Sequence, residues 1–562
     1  MTTNQDMNEC AKQGVRASLD LNRVLVEEVG QFGRYQARAL ALTAVAAVFS
    51  SWQAEFLFTT ARINTRCFIA ECETRGNSTA FAPPWLAHAV PLLSTGSFDG
   101  CHRHANATLL DYSRDSDACP AMLFNNNSQL TCDEFVYENS NTIVYDYGLA
   151  CKEWQRSLVG TVRIAGAAIS LPLTGLASDR WGRRAALVVS AVNGAIFGVA
   201  RVWAANYNQF IALEFLEAVS GTLYICAHIL LMETVGPEYR VFASTTNNIF
   251  VAIGQIFLSL IARALPYWKH LTLALYLPQF VMILYIWMLV ESPRWYMSKG
   301  RYKETEDALS RIARVNGKQL SVKTLNTLKL QAEEESENKD VGKQKTVDEP
   351  WLIEMVLRNK PILVRCLVSP VWWISSTLIL FGLSINAVNL SGDPYLNYIV
   401  VSLVEIPGAI LAIVLLRKVG RKPVLIAGYL VCAASQIGYI FLPQGLRWGS
   451  VAVFLIGKLS ISMVMAVLLV YTAELYPTEY RHTLFAFSNL LGRLGAMVAP
   501  LMPAFSATVW ESFPPTIFAV FSLVSGALVF ITPETRGRQL PDTMAEAANL
   551  TKNIRNTSNC DS

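Results

Sequence analysis

Charge is scarce in this sequence: Asp, Glu, Lys and Arg make up only 16% of its 562 residues. Soluble domains carry about 25%, so a chain this poor in charge and 52% hydrophobic falls outside the ordinary soluble classes and belongs in a membrane. Its net charge of +4 is small, no basic tract is interleaved with aromatics, and nucleic acid is therefore not an expected partner. Zinc-ligand spacings, phosphate-cradling glycine loops and nucleophile elbows are missing from any context in which they would work. That argues against an enzyme, and the sequence calls for no metal and no cofactor. A short basic start followed by a brief apolar core is also lacking, because the stretch before Ala39 mixes acids with bases. The first apolar run is thus expected to be a retained span and not a cleaved signal.

Long apolar runs, by contrast, are plentiful. Crossing about 30 Å of hydrocarbon takes roughly 20 helical residues. Candidates fall near 39–59, 156–177, 185–205, 209–232, 242–264 and 270–290, and again near 362–388, 396–416, 423–442, 450–472, 483–504 and 516–532. The turns on one side carry Arg180, Arg183, Arg184 and Arg240, then Arg417, Lys418, Arg421, Lys422 and Arg481, while the opposite turns are nearly free of basic residues. The positive-inside rule then predicts that both termini and the central connector are cytoplasmic. The expected divisions are an N-terminal segment 1–38, a six-helix bundle 39–290 with an extracellular loop 60–151, a connector 291–361, a second bundle 362–532 and a tail 533–562.

The two sets of six repeat each other. Glu233 to Arg240 reads ETVGPEYR and Glu474 to Arg481 reads ELYPTEYR, with Glu, Glu, Tyr and Arg at equal spacing. Gly182-Arg183-Arg184 pairs in the same order with Gly420-Arg421-Lys422, and Glu291-Ser292-Pro293-Arg294 with Glu534-Thr535-Arg536. Three paired turns predict two parallel six-helix halves.

Between Thr60 and Cys151 lies a polar loop holding Cys67, Cys72, Cys101, Cys119, Cys132 and Cys151, an even cluster that reads as disulfides with the pairing left open. Glycosylation sequons at Asn77, Asn106 and Asn126 agree with an extracellular face. Sequons at Asn389, Asn549 and Asn556 are discounted by position, and Cys10, Cys226, Cys366, Cys432 and Cys560 are expected to be free thiols. In the connector, Tyr302 to Ala313 has the spacing of an amphipathic helix lying on the cytoplasmic face. Glu333 to Glu337 reads as solvated linker.

The turn GLASDRWGRR at Gly175 resembles the loop between helices two and three of the major facilitator superfamily. GQFGRYQ at Gly30, ESPRW at Glu291, Tyr395-Leu396-Asn397, Glu405-Ile406-Pro407, YTAELYPTEYR at Tyr471 and PETRG at Pro533 extend the likeness over nearly the whole chain. These motifs, with the cysteine-rich loop after the first helix, resemble solute carrier family 22, the organic cation, anion and zwitterion transporters. The resemblance implies an all-α membrane protein of 12 transmembrane helices in two halves. It also implies a polyspecific carrier of small organic ions at the plasma membrane, working by alternating access, with the substrate and the lipid bilayer as its partners. No coupling ion is named by the sequence. The chain departs from the family pattern at Arg163 in helix two, at Glu214 and Ala218 in helix four, and at Leu380-Phe381-Gly382-Leu383 in helix seven.

Ionisable residues deep in membrane helices are costly and are functional candidates by default. In the second half these are Glu405, Lys458 and Arg493, summing to one positive charge; in the first half Arg163 and Glu214 cancel. Glu405 and Lys458 are read either as an interhelical ion pair or as substrate contacts. Arg163 and Glu214 are read as a compensating pair whose exchange should preserve the interaction. The family resemblance implies that an Arg at the position of Arg493 goes with anion and carnitine-like branches, and a guanidinium grips a carboxylate through two parallel hydrogen bonds. Trp372, Trp373 and Phe381 in helix seven are candidates for an aromatic wall against an ammonium group, or else for packing. Asp179, Arg183, Glu233, Arg240, Arg421, Glu474 and Arg481, with Glu291 and Arg294, are expected to form a cytoplasmic gate of modest ion pairs. The expected function is transport of carboxylate-bearing zwitterions, carnitine-like or amino-acid-derived, or of organic anions. Alternatives are a cation carrier using Glu405 as counter-charge, and a receptor that binds through its disulfide loop.

Overall fold

A computed structural model describes residues 21–73, 80–92, 98–107, 119, 121–221, 223–338, 352–390, 392–442, 447–477, 480–537, 541 and 544–549. Asn77, Cys10 and Cys560 lie outside these described residues. Among the described residues, eleven helices are long and apolar enough to cross a membrane. The first six are α1 (Arg34–Thr59), α2 (Glu153–Trp181), α3 (Arg183–Trp203), α4 (Tyr207–Thr234), α5 (Pro237–Ala264) and α6 (Trp268–Met288). The others are α7 (Lys360–Asn386), α8 (Pro394–Lys418), α9 (Arg421–Phe441), α10 (Trp448–Leu475) and α11 (Thr483–Thr508). A shorter apolar helix, α12 (Phe513–Val529), completes the second set. Each falls on one of the expected runs, in two sets of six.

The helices stop where the backbone must reverse. α2 passes to α3 through Gly182 at φ +102°, and α8 to α9 through Gly420 at φ +119°, a region that a Cβ disfavours. α1 is broken on its own axis: the α-helix ends at Ser51, Trp52–Glu55 forms a 3₁₀ turn, and Phe56–Thr59 resumes the helix. The tighter 3₁₀ winding turns the Glu55 side chain inward, where it is fully buried.

Two apolar cores carry the halves. One joins α1, α3, α4 and α6 to the segments on the connector side, taking in Leu25, Val29, Leu187, Leu231, Met282, Leu309, Ile312 and Leu328. The other is centred on the second half, with Trp372, Trp373, Tyr429, Tyr471 and Phe518, and extends to Trp52, Phe58 and Leu258 of the first. The connector contributes helices Tyr302–Val315 and Val322–Asn338. Thr305, Ala308, Leu309, Ile312 and Ala313 form the buried stripe that the sequence spacing predicts. Glu333 to Glu337 are not linker, as expected, but the last turns of Val322–Asn338, since Glu is a good helix former.

The loop after α1 corrects the all-α expectation locally. It forms a lobe with two antiparallel ribbons: β1 (Thr65–Cys67) pairs with β4 (Phe135–Tyr137), and β2 (His102–Asn106) with β3 (Phe124–Thr131). Disulfides join Cys67 to Cys132, Cys72 to Cys119 and Cys101 to Cys151, around a small core of Ile69, Leu86, Val90 and Phe124. Buried Arg66 donates two hydrogen bonds to Glu73, at 2.7 and 2.8 Å, and lies over the Trp85 ring. Of the sequon residues, Asn126 is exposed on β3, and the Asn106 amide donates to Glu71 at 2.7 Å. Cys226, Cys366 and Cys432 are buried free thiols.

Candidate functional site

At the connector-side ends of the helices the repeated motifs close into two equivalent caps. Glu291 accepts the backbone N–H of Arg183 at 2.8 Å and of Arg184 at 3.0 Å. Glu534 accepts those of Arg421 at 3.1 Å and Lys422 at 2.8 Å. A carboxylate on unpaired N–H groups at a helix start is favoured by both hydrogen bonding and the helix dipole. Burial pushes the Glu534 carboxyl up, but the backbone N–H groups of Arg536, Arg421, Lys422 and Thr535 outweigh it and hold the group below its usual range.

The gate candidates gather around these caps, each within its own half. Arg183 pairs with Asp179 at 2.8 Å and with Glu233 at 3.2 Å; Arg421 grips Glu474 with two hydrogen bonds, at 2.7 and 2.9 Å. Arg240 donates instead to Asn22 of the N-terminal segment at 2.9 Å, and Arg481 to the Tyr476 carbonyl at 3.4 Å. Contacts between the halves lie at the other end, beside the disulfide lobe. Ser259 of α5 donates to the Tyr395 carbonyl of α8 at 2.8 Å, Phe58 stacks on Tyr395 at 5.5 Å, and Trp154 meets Phe505 edge-on at 4.9 Å. The structure is therefore shut on the lobe side, over a small cleft lined by Phe56, Leu57, Ala61, Gly160 and Pro500.

In the second half Lys458 is fully buried and its ammonium is saturated. It lies 2.7 Å from Glu405, donates to Ser384 at 2.6 Å and to the Leu380 carbonyl at 3.2 Å. Trp373 packs inside the bundle, edge-on to Phe485 at 5.5 Å, with its indole N–H on Thr472 at 3.2 Å. Trp372 is buried beside Tyr471 at 5.8 Å, whereas Phe381 is partly exposed.

Arg493 stands apart. On α11 the exposed residues Phe487, Leu490, Leu494 and Val498 form a lipid stripe. Gly492 and Gly495 press on α7, where an added Cβ would come within 2.9 Å of Trp373 and 2.1 Å of the Ile374 carbonyl. Arg493 occupies the third side, in line with Pro500 two turns away, and a Cβ on Gly160 of α2 would come within 2.8 Å of Pro500, as well as 2.6 Å of Phe56. That side faces the first half. Arg493 has no ion pair or hydrogen bond among the described residues, and its Nε is buried without a partner. With Glu405 and Lys458 matched, Arg493 is a cation of the second half that no described residue compensates.

The first half holds more charge than the sequence reading counted. Arg163 does meet Glu214, but Arg201 meets both Glu214 and Glu55, and Glu217 lies 2.7 Å from Arg163. Tyr276 accepts from Arg163 at 3.0 Å, and its ring, like that of Phe210, lies under the Arg201 guanidinium. All five charged residues are buried. The expected cancellation between two residues is thus corrected to three carboxylates around two guanidiniums. Glu55 and Arg201 were missed because they sit near the ends of their apolar runs, where a charge reads as headgroup-level. Glu217, one helical turn after Glu214 on the same face, carried a signal that spacing makes visible.

The sequence profile of the Major Facilitator Superfamily matches residues 148–500. The chain is 30% identical over 413 residues to solute carrier family 22 member 2 of Rattus norvegicus, covering 73% of this chain and 72% of that one. It is 29% identical over 545 residues to member 2 of Oryctolagus cuniculus, covering 95% and 96%, and 29% identical over 425 residues to member 6 of Mus musculus, covering 74% and 76%. Among solved structures it is similar to the inward-open xylose transporter XylE of E. coli, with a TM-score of 0.54 at 17% identity over 69% of this chain and 88% of that one.

Proposed function

Because this chain belongs to the major facilitator superfamily and, within it, to solute carrier family 22, we propose that it carries small organic ions bearing a carboxylate, zwitterions or anions, across the plasma membrane. It is a multi-pass membrane transporter and not an enzyme; the carboxylate preference is our reading of Arg493. A guanidinium facing the other half with no partner among the described residues is costly unless something pairs with it. A substrate carboxylate, held by two parallel N–H···O bonds, supplies that partner. The rival cation reading requires Glu405 as counter-charge, and Glu405 already faces Lys458 at 2.7 Å. In the same reading the disulfide lobe is extracellular, both termini and the connector are cytoplasmic, and the ion pairs around the two caps regroup as the connector side closes.

The test is uptake in cells with matched surface expression, competed by L-carnitine, by simple carboxylates and by tetraethylammonium. Competition by carboxylated compounds that is weakened in Arg493→Lys and abolished in Arg493→Asp supports the reading. Competition by the quaternary amine alone, or unchanged apparent affinity for every carboxylated compound in Arg493→Lys, overturns it.

A further inference from the structure

We propose that Glu55 in the first half binds one proton, and that this proton permits the lobe-side cleft to close. Three carboxylates, Glu55 of α1 and Glu214 and Glu217 of α4, surround two guanidiniums, Arg163 of α2 and Arg201 of α3. Tyr276 of α6 adds a neutral phenol. Of the other cations on the packed elements, Arg156 pairs with Glu153, Lys269 with Asp146 and Arg183 with Asp179 and Glu233, and Arg493 of α11 makes no ion pair among the described residues. Guanidiniums stay charged in proteins, so with all acids ionised the cluster holds one negative charge in excess, in a place where every member is buried. A buried carboxylate without a counter-charge takes up a proton instead.

The contacts assign the proton to one of the three acids. Glu214 bridges both guanidiniums, one through each oxygen, which leaves no oxygen for a proton. Glu217 faces Arg163 through its Oε2 at 2.7 Å. Glu55 meets Arg201 through one oxygen only, and its Oε2 is buried without a hydrogen bond. That free oxygen is where the proton sits.

The position of Glu55 connects the charge to the gate. It ends the 3₁₀ turn of α1, and the next residues, Phe56, Leu57 and Ala61, line the cleft that is shut in this structure. Opening that cleft moves α1 against α2 and brings water to Glu55, where the ionised acid is stable. Closing it again buries the cluster, and a proton passes from hydronium in the water to Oε2 of Glu55, forming the O–H bond and leaving a water molecule. The inference rests on the carrier reading only through the opening of this cleft, and not on Arg493 or on any substrate.

The experiment uses the full chain in sealed membranes with a reporter, Ala61→Cys, labelled from the lobe side by an impermeant maleimide between about pH 5 and pH 9. The same chain without the reporter corrects for background. Glu217→Gln, which removes the excess negative charge without a proton, carries the same reporter thiol, so the ratio of the two labelling rates removes the pH dependence of the thiol. The ratio should rise with pH, approaching tenfold per unit, the slope of a single proton. Glu55→Gln should flatten the dependence as Glu217→Gln does, and either one suffices should the other fail to reach the membrane. In the purified wild type, the infrared band of a protonated carboxylic acid should be present and should be lost in the Gln variants. A flat ratio, a slope that survives the Gln substitution, or no such band in the wild type overturns the proposal.

Discussion

Lys458 lies 2.7 Å from Glu405, and its two further hydrogen bonds, to Ser384 and the Leu380 carbonyl, leave it no free donor for a ligand. An ammonium has three donors, and all three are spent inside the bundle. The pair therefore acts as a tie between α8 and α10, with Ser384 of α7 as its third corner.

Removing one partner should expose this. Glu405→Gln leaves Lys458 buried and uncompensated, at a cost of about 3 to 5 kcal/mol, seen as a lower melting temperature and poor surface delivery. The double variant Glu405→Gln, Lys458→Met should regain most of that stability and retain transport. Normal delivery of the double variant with transport abolished would return the pair to the substrate site.

The first-half cluster reverses an expectation drawn from sequence. Exchanging Arg163 and Glu214 should not restore function, because an acid at 163 would face Glu217 and a guanidinium at 214 would face Arg201. The exchanged protein should be less stable than either Arg163→Gln or Glu214→Gln, as thermal stability in detergent would report. Recovery on exchange would mean that the pair is isolated.

What the sequence displayed and what it hid divide along physical lines. All twelve spans were visible because hydrocarbon demands a continuous apolar run, and the repeated turns holding Glu291 and Glu534 were visible as motifs, but that these carboxylates cap helix starts emerged only from the structure. The network of Glu55, Arg201 and Glu217 was not, since depth near a helix end depends on how the lobe and neighbouring helices cover it. The small β-ribbons were hidden for another reason: strands such as Phe124 to Thr131 are mostly polar and are held by disulfides, with little apolar alternation to mark them. Arg493 was legible as a candidate, but that it lacks a partner emerged only from the packing of α11.

The caps make a graded prediction. Both hinge glycines have positive φ, so alanine costs about 1 to 2 kcal/mol of backbone strain at either. At Gly182 the new Cβ would also lie 2.4 Å from Glu291 Oε2, against 3.1 Å from Glu534 Oε2 at Gly420. Gly182→Ala should lower the melting temperature more than Gly420→Ala. Equal losses would show that the cap yields freely.

Glu534 also sets a pH dependence. Its folded carboxyl is held below the ordinary value of 4.5, so the stability it adds is present above that value and is lost as pH falls through the depressed one. The difference in melting temperature between wild type and Glu534→Gln should therefore be constant near neutrality, about 1 kcal/mol in free energy, and shrink in acid. A difference independent of pH would mean that the cap works without its charge.

Replacing the disulfides tests the lobe. Each pair, Cys67 with Cys132, Cys72 with Cys119 or Cys101 with Cys151, should cost about 2 to 5 kcal/mol of lobe stability when changed to serine. Surface delivery should fall while apparent affinity in the delivered fraction stays nearly constant. Normal delivery without all six cysteines would contradict this.

The two halves share repeated motifs, yet their surroundings differ. The Asn316 amide of the connector accepts the Tyr35 N–H at 2.9 Å and donates to the Val29 carbonyl at 3.0 Å and to Gln36 at 2.9 Å. Asn22 holds both Arg240 and Arg294. The N-terminal segment and the connector are thereby bolted onto the first bundle and share its core. Any rigid-body movement of the first bundle must therefore carry the N-terminal segment and the connector helices with it.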